Sequence, residues 1–130
     1  MKVVLDCNVV VAAARVDGAC RKVIDRVVRH HEIILSAAIL SEYETVAGRP
    51  DQAPHRHTLR LVIGEIERLA VTVEPVDVVF GVRDPDDEVY LATAAAGGTI
   101  LITGNTRDFT EPRYGPVEIW SPRAFLDRMA

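Results

Sequence analysis

The chain has 130 residues, 48% of them hydrophobic and 26% charged, with a formal net charge of −4 at pH 7. That size and balance fit one globular domain over 1–130 with a core of its own, and they exclude a disordered chain or a disulfide-stapled miniprotein. The negative sum argues against a protein that holds nucleic acid by overall basicity, although carboxylates gathered around a divalent cation would contribute to the same sum.

In chain order, Met1-Lys2 and the apolar run Val3-Val4-Leu5 are too short and too soon charged for a signal peptide or a membrane span. With only Cys7 and Cys20, no CxxC pair and no His at zinc spacing, reduced thiols, a cytoplasmic location and no membrane association are expected. Lys2 to Leu5 reads as a strand, Asp6-Cys7-Asn8 as a polar break and Val9 to Ala14 as a helix. Val23, Ile24, Val27 and Val28 fall at helical spacing between Gly18 and His30, with Arg21, Lys22, Asp25, Arg26 and Arg29 on the other face. Glu32 to Leu35 is a second strand, after which Ser36 caps a helix over Ala37 to Val46 that carries Glu42.

Gly48 to Pro54 is rich in breakers and reads as a mobile loop before a helix that runs from His55-Arg56-His57 to about Leu69. Ala70 to Val73 is a short strand and Glu74 to Arg83 an irregular connection. Asp84 and Pro85 open a further helix, with Asp86, Asp87 and Glu88 favoured at its positive end. Gly97 and Gly98 are expected to stop it through a left-handed residue, and Thr99 to Thr103 is a β-branched strand. The polar turn Thr103 to Asp108 follows. Val117 to Trp120 is the last strand, and Ser121-Pro122 opens a closing helix from Arg123 to Met129.

Strands alternating with helices imply an α/β fold, a three-layer α/β/α sandwich around a mostly parallel sheet. Asp6 then emerges at the same sheet edge as Asn105 and Asp108, provided that Glu42 and Asp87 swing toward it. A carboxylate between Val3-Val4-Leu5 and Val9-Val10-Val11 is costly unless paired, hydrogen-bonded or on a metal; the competing reading is a helix cap by Asp6 or Asn8. Singly, Glu42 and Asp87 read as solvated or dipole-matched acids and Asn105 and Asp108 as turn residues. Together they are the ligand set of a hard cation, Mg2+ or Mn2+, of the kind that hydrolyses phosphodiesters. Phosphate contacts are expected from Arg15, then Arg107, then Arg49 with His55-Arg56-His57. HxH at His55 and His57 lacks the acidic partner a metal site needs. Cys7, with no basic group tied to it, reads as a packing residue rather than a nucleophile.

Val3-Val4-Leu5-Asp6-Cys7-Asn8, Ile39-Leu40-Ser41-Glu42-Tyr43, Arg83-Asp84-Pro85-Asp86-Asp87-Glu88 and Ile102-Thr103-Gly104-Asn105-Thr106-Arg107-Asp108-Phe109 together resemble a PIN-domain nuclease. The resemblance covers nearly the whole chain and is nearest the VapC-like, single-domain toxins of prokaryotic toxin–antitoxin pairs. It implies a Mg2+-dependent endoribonuclease, a homodimer, and inhibition by a small antitoxin whose tail enters the acidic cleft. By position it makes Asp6, Glu42 and Asp87 the central catalytic and metal-binding acids. Asp108 joins as a ligand, Asn105 and Asp84 are supporting ligands, and Asn8, Arg15, Thr103 and Arg107 fall to the substrate. Asn105 stands where many relatives carry a fourth Asp, which leaves one ion or two open. The rivals are a non-catalytic interaction module of the same fold and an Asp-based phosphatase. The latter is disfavoured by Asn8 two residues after Asp6 and by a supply of lysine limited to Lys2 and Lys22.

Overall fold

Three consecutive aliphatics, Val3, Val4 and Leu5, are fully buried, as a strand covered on both faces requires, and they lie at the centre of the sheet. A computed structural model describes residues 1–98 and 100–129. Its elements run β1 (Lys2–Leu5), α1 (Cys7–Arg15), α2 (Ala19–His30), β2 (Glu32–Leu35), α3 (Ala37–Ala47), α4 (Arg56–Leu69), β3 (Val71–Thr72), α5 (Glu88–Gly97), β4 (Ile100–Ile102), β5 (Arg113–Tyr114), β6 (Val117–Trp120) and α6 (Pro122–Arg128). Short 3₁₀ turns at Pro50–His55 and Pro85–Asp87 precede α4 and α5.

The strands lie in the order β3-β2-β1-β4-β6-β5 and are parallel except for β5, which pairs antiparallel with β6. The chain steps outward from β1 to β3, then returns through α5 to β4 on the other side of β1. Right-handed crossovers put the helices of the two legs on opposite faces, giving the expected α/β sandwich flanked by helices. The register Val3 with Ile100, Val4 with Leu101 and Leu5 with Ile102 brings the ends of β1 and β4 level. The segments after these two neighbours diverge, so a crevice opens at the carboxyl edge of the sheet, where α/β proteins bind ligands.

Several local expectations need correction. Gly98 has φ −125°, so no left-handed residue stops α5. The Gly pair answers a packing demand instead: a Cβ on Gly97 would sit 2.8 Å from Val73 Cγ1 and 3.2 Å from Ile34 Cγ2, and one on Gly98 3.4 Å from Ile34 Cγ1. Asp84 caps the 3₁₀ turn rather than α5, its Oδ1 accepting from Asp86 N at 3.0 Å, and Asp87 takes the N-cap position of α5. The breaker-rich segment is not an open loop but winds into the 3₁₀ turn Pro50–His55. Arg56 ties it down, donating from Nε to Ala47 O at 2.7 Å and from Nη2 to Gly48 O at 3.4 Å and Arg49 O at 2.9 Å. The strand expected from Thr99 begins, among the described residues, at Ile100, and Thr99 itself lies outside them. Strand β5, two residues long, carries no sequence pattern. Among the described residues no helix is long and apolar enough to cross a membrane.

Candidate active site

Asp6 follows β1 and is 5% exposed, held under the crevice by the strand that precedes it. It occupies the N-cap position of α1, but its side chain makes no cap hydrogen bond of good geometry. Its Oδ2 instead accepts from Thr103 Oγ1 at 2.6 Å and from Asn8 Nδ2 at 3.3 Å. Thr103, 2% exposed at the end of β4, therefore joins the two diverging segments at their closest point. Asn8 completes the link by accepting from Gly104 N at 3.1 Å through Oδ1, and Asn105 N donates to Thr103 Oγ1 at 2.9 Å. Burial pushes the Asp6 carboxyl up to about 6 and Glu42 adds to the rise, while the Thr103 hydroxyl and the Cys7 and Asn8 amides work against it.

Two groups of acids flank Asp6. On one side Asp84, Asp87 and Asp108 each offer an oxygen, all within 4.8 Å of one another. The Asp87 carboxyl is pushed up to about 7, first by burial and then by Asp6, Asp84 and Asp108. On the other side Asp6 and Glu42 line a cavity of about 270 Å³ with Cys7, Asn8, Val11, Val46, Arg49 and Gln52. Glu42 is placed there by its neighbour Tyr43, a buried residue whose hydroxyl donates to the Leu5 carbonyl and so ties α3 to the end of β1. In the sequence Tyr43 belongs to the run around Glu42, but nothing in that run shows its tie to β1.

Asn105 lies directly beside the clustered oxygens. Its amide donates to Asp108 Oδ2 at 2.9 Å and accepts from Asp108 N at 3.2 Å, so it orients a ligand candidate. Arg107 and Arg83 are exposed beside the acid group and Arg49 at the cavity, and none of the three guanidinium groups has an ion pair or hydrogen bond among the described residues. Arg15 is exposed at the last residue of α1, roughly 13 Å along the helix axis from the Asp6 end, and the structure does not bring it to the acids. Arg56 spends Nε and Nη2 on the carbonyls of Ala47, Gly48 and Arg49 at the end of α3. Cys7 is buried and its thiol is pushed up to about 12 by burial, then by Glu42 and Asp6, which keeps it protonated and bears out its reading as a packing residue. Gln52, also unforeseen, is 6% exposed and its Oε1 is buried without a partner.

The family described as PIN domain matches residues 2–107, a span that includes every acid named above except Asp108. The chain belongs to the PIN domain family. No curated protein matches it in sequence. Among solved structures it is similar to VapBC2 from Rickettsia felis, determined bound to a DNA fragment from their promoter, with a TM-score of 0.63 and 15% identity over 93% of this chain and 98% of that one. At that identity the likeness concerns the fold, and it agrees with the PIN arrangement of a mostly parallel sheet flanked by helices.

The donor chemistry of this PIN crevice fits a hard divalent cation. Carboxylates crowd it with no lysine or arginine paired to them among the described residues, and the raised Asp87 and Asp6 carboxyls record the repulsion and desolvation that a cation would relieve.

Proposed function

We propose that this chain is a Mg2+- or Mn2+-dependent endoribonuclease, with 1–130 as one nuclease domain, acting in the cytoplasm as the toxin of a toxin–antitoxin pair and as a homodimer. The observation that carries the reading is the close group Asp84, Asp87 and Asp108, whose Asp87 feels the charge of Asp6, itself sharing a cavity with Glu42. Asp87, Asp108 and Asp84 would hold the cation with Asp6, and Glu42 would complete the catalytic set from the cavity side. A cation held there supplies charge neutralisation for a phosphodiester and a more acidic water.

The residues of the chain do the rest. Thr103 and Asn8 fix Oδ2 of Asp6, which leaves Oδ1 without a side-chain hydrogen bond. Asn105 keeps Asp108 turned to the same point. Glu42, half-buried at the cavity, is placed to take a proton from water approaching the phosphorus. Arg49, Arg83 and Arg107 supply local positive charge for RNA phosphates despite the acidic total. The PIN family match supports a hydrolase. An apolar groove of about 310 Å³ between α2 and α4, lined by Ile24, Val28, Leu61 and Val62 with Arg21, Asp25 and Glu65 at its edge, supports a protein partner of the antitoxin kind, as does the assembly formed by the similar VapBC2. The phosphatase reading loses support because Lys2 lies at the far end of β1 and Lys22 is exposed on α2.

The test is cleavage of single-stranded RNA by the purified chain. Cleavage with Mg2+, abolished by chelator and reduced at least about 100-fold in Asp6→Asn and Asp87→Asn, is the expected result. A folded chain that leaves RNA intact with Mg2+ and with Mn2+ overturns the reading in favour of an interaction module.

A further inference from the structure

Glu88 stands in the middle of the acidic stretch yet is spent inside the protein. Its Oε2 accepts from Phe80 N at 2.8 Å, and its Oε1 from Gly81 N at 2.8 Å and Val82 N at 3.0 Å. Three successive amides can converge on one carboxylate because Gly81 adopts φ +81°, a conformation open to glycine and costly for other residues. The first turn of α5 thus grips the segment that leads into Arg83, Asp84 and Asp87.

The grip extends to the other half of the acid group. Phe80, held by its amide, lays its ring on the hairpin between β5 and β6, where a Cβ on Gly115 would lie 3.2 Å from Phe80 Cε1. On the same hairpin the Tyr114 hydroxyl accepts from Thr110 N at 3.0 Å and Glu111 N at 3.3 Å. The Tyr114 ring meets Phe109 edge-on at 6.3 Å, and Phe109 directly follows Asp108. Asp84 and Asp87 on one segment, and Asp108 on the other, are therefore joined through Glu88, Phe80, the hairpin and Phe109.

Resting on the metal-dependent reading above, the geometry assigns Glu88 and Phe80 as positioning residues. Together they form a clamp that sets the distance between Asp108 and the Asp84–Asp87 pair, and through it the affinity for a divalent cation. Neither touches the cation. Glu88→Gln places an amide NH2 against backbone N–H donors and opens the clamp at α5, whereas Phe80→Leu removes the ring from Gly115 and opens it at the hairpin without any change of charge.

The experiment titrates Mn2+ into the full chain and follows free Mn2+ by its paramagnetic resonance, with circular dichroism to establish folding. The expected result is a loss of Mn2+ affinity of about tenfold in each single variant, with the double variant no weaker than the weaker single, because both cut one path. Wild-type affinity within twofold in either folded single variant overturns the clamp, as do losses that multiply in the double. If Glu88→Gln does not fold, Phe80→Leu decides by the same twofold limit. A folded wild-type chain that binds no Mn2+ overturns the metal reading itself, and the clamp with it.

Discussion

Asn105 shows how one side chain can change meaning between sequence and structure. As a letter it is an Asp that has lost its charge; in space its amide holds Asp108 by both ends, at 2.9 Å and 3.2 Å. Replacing it with Asp would add a carboxylate against the one it now orients. Asn105→Asp is therefore expected to lower the melting temperature in chelator at pH 8 by a few degrees, about 1 kcal/mol, and saturating Mg2+ should narrow that gap as the cation screens the new repulsion. A variant equally destabilised with and without Mg2+ would show that Asn105 acts only within its turn. Asp6 was legible from sequence because aliphatics enclose it on both sides. Tyr43, Gln52 and Glu88 were not, because their roles are set by what lies across from them: a carbonyl at the end of β1, a cavity wall, and three amides of a distant turn.

Elements were read with more success where local chemistry decides them. Ser36 caps α3, with its Oγ accepting from Ile39 N at 3.3 Å, and Ser121 caps α6 in the same manner; both followed from residue type and spacing alone. The end of α5 did not, because glycine serves two purposes and only the neighbouring elements reveal which. Gly97 lets α5 lie against Val73 and Ile34, and this close approach brings the return crossover back to β4. Gly97→Ala forces a methyl to within 2.8 Å of Val73 Cγ1 and is expected to cost about 1–3 kcal/mol. Trimming the obstacle in Gly97→Ala/Val73→Ala should recover part of that loss in a urea unfolding series. A double variant with purely additive losses would place the strain elsewhere.

At the scale of the molecule, the order β3-β2-β1-β4-β6-β5 assembles the crevice from segments nearly a hundred residues apart. The alternation of strands and helices made the fold class legible, and the family motifs made the acids legible. The partition of those acids was not, since it depends on the register of β1 against β4. The partition has a consequence for stability. Asp6 and Asp87 have carboxyls raised to about 6 and about 7 from 3.8, so without a cation the folded chain keeps protons that the unfolded chain has already released. Stability must then fall as pH rises from about 4 to about 7. Asp6→Asn removes a buried charge and keeps an oxygen for Thr103. In chelator at pH 8 it should melt several degrees above the wild-type chain, while at pH 4 the two should nearly coincide. A wild-type chain that gains stability between pH 5 and pH 8 in chelator would contradict these assignments.

Convergence of the acids on one cation is tested most directly by counting protons. At pH 6.5, close to both raised values, Asp6 and Asp87 are each partly protonated and together hold on the order of one proton. Calorimetric titration of Mn2+ in two buffers of different ionisation enthalpy should release about one proton per ion from the wild-type chain and much less from Asp87→Asn, which should also bind more weakly. Binding without proton release, or release and affinity unchanged in Asp87→Asn, would mean that the ion sits elsewhere and that the crevice is not its site.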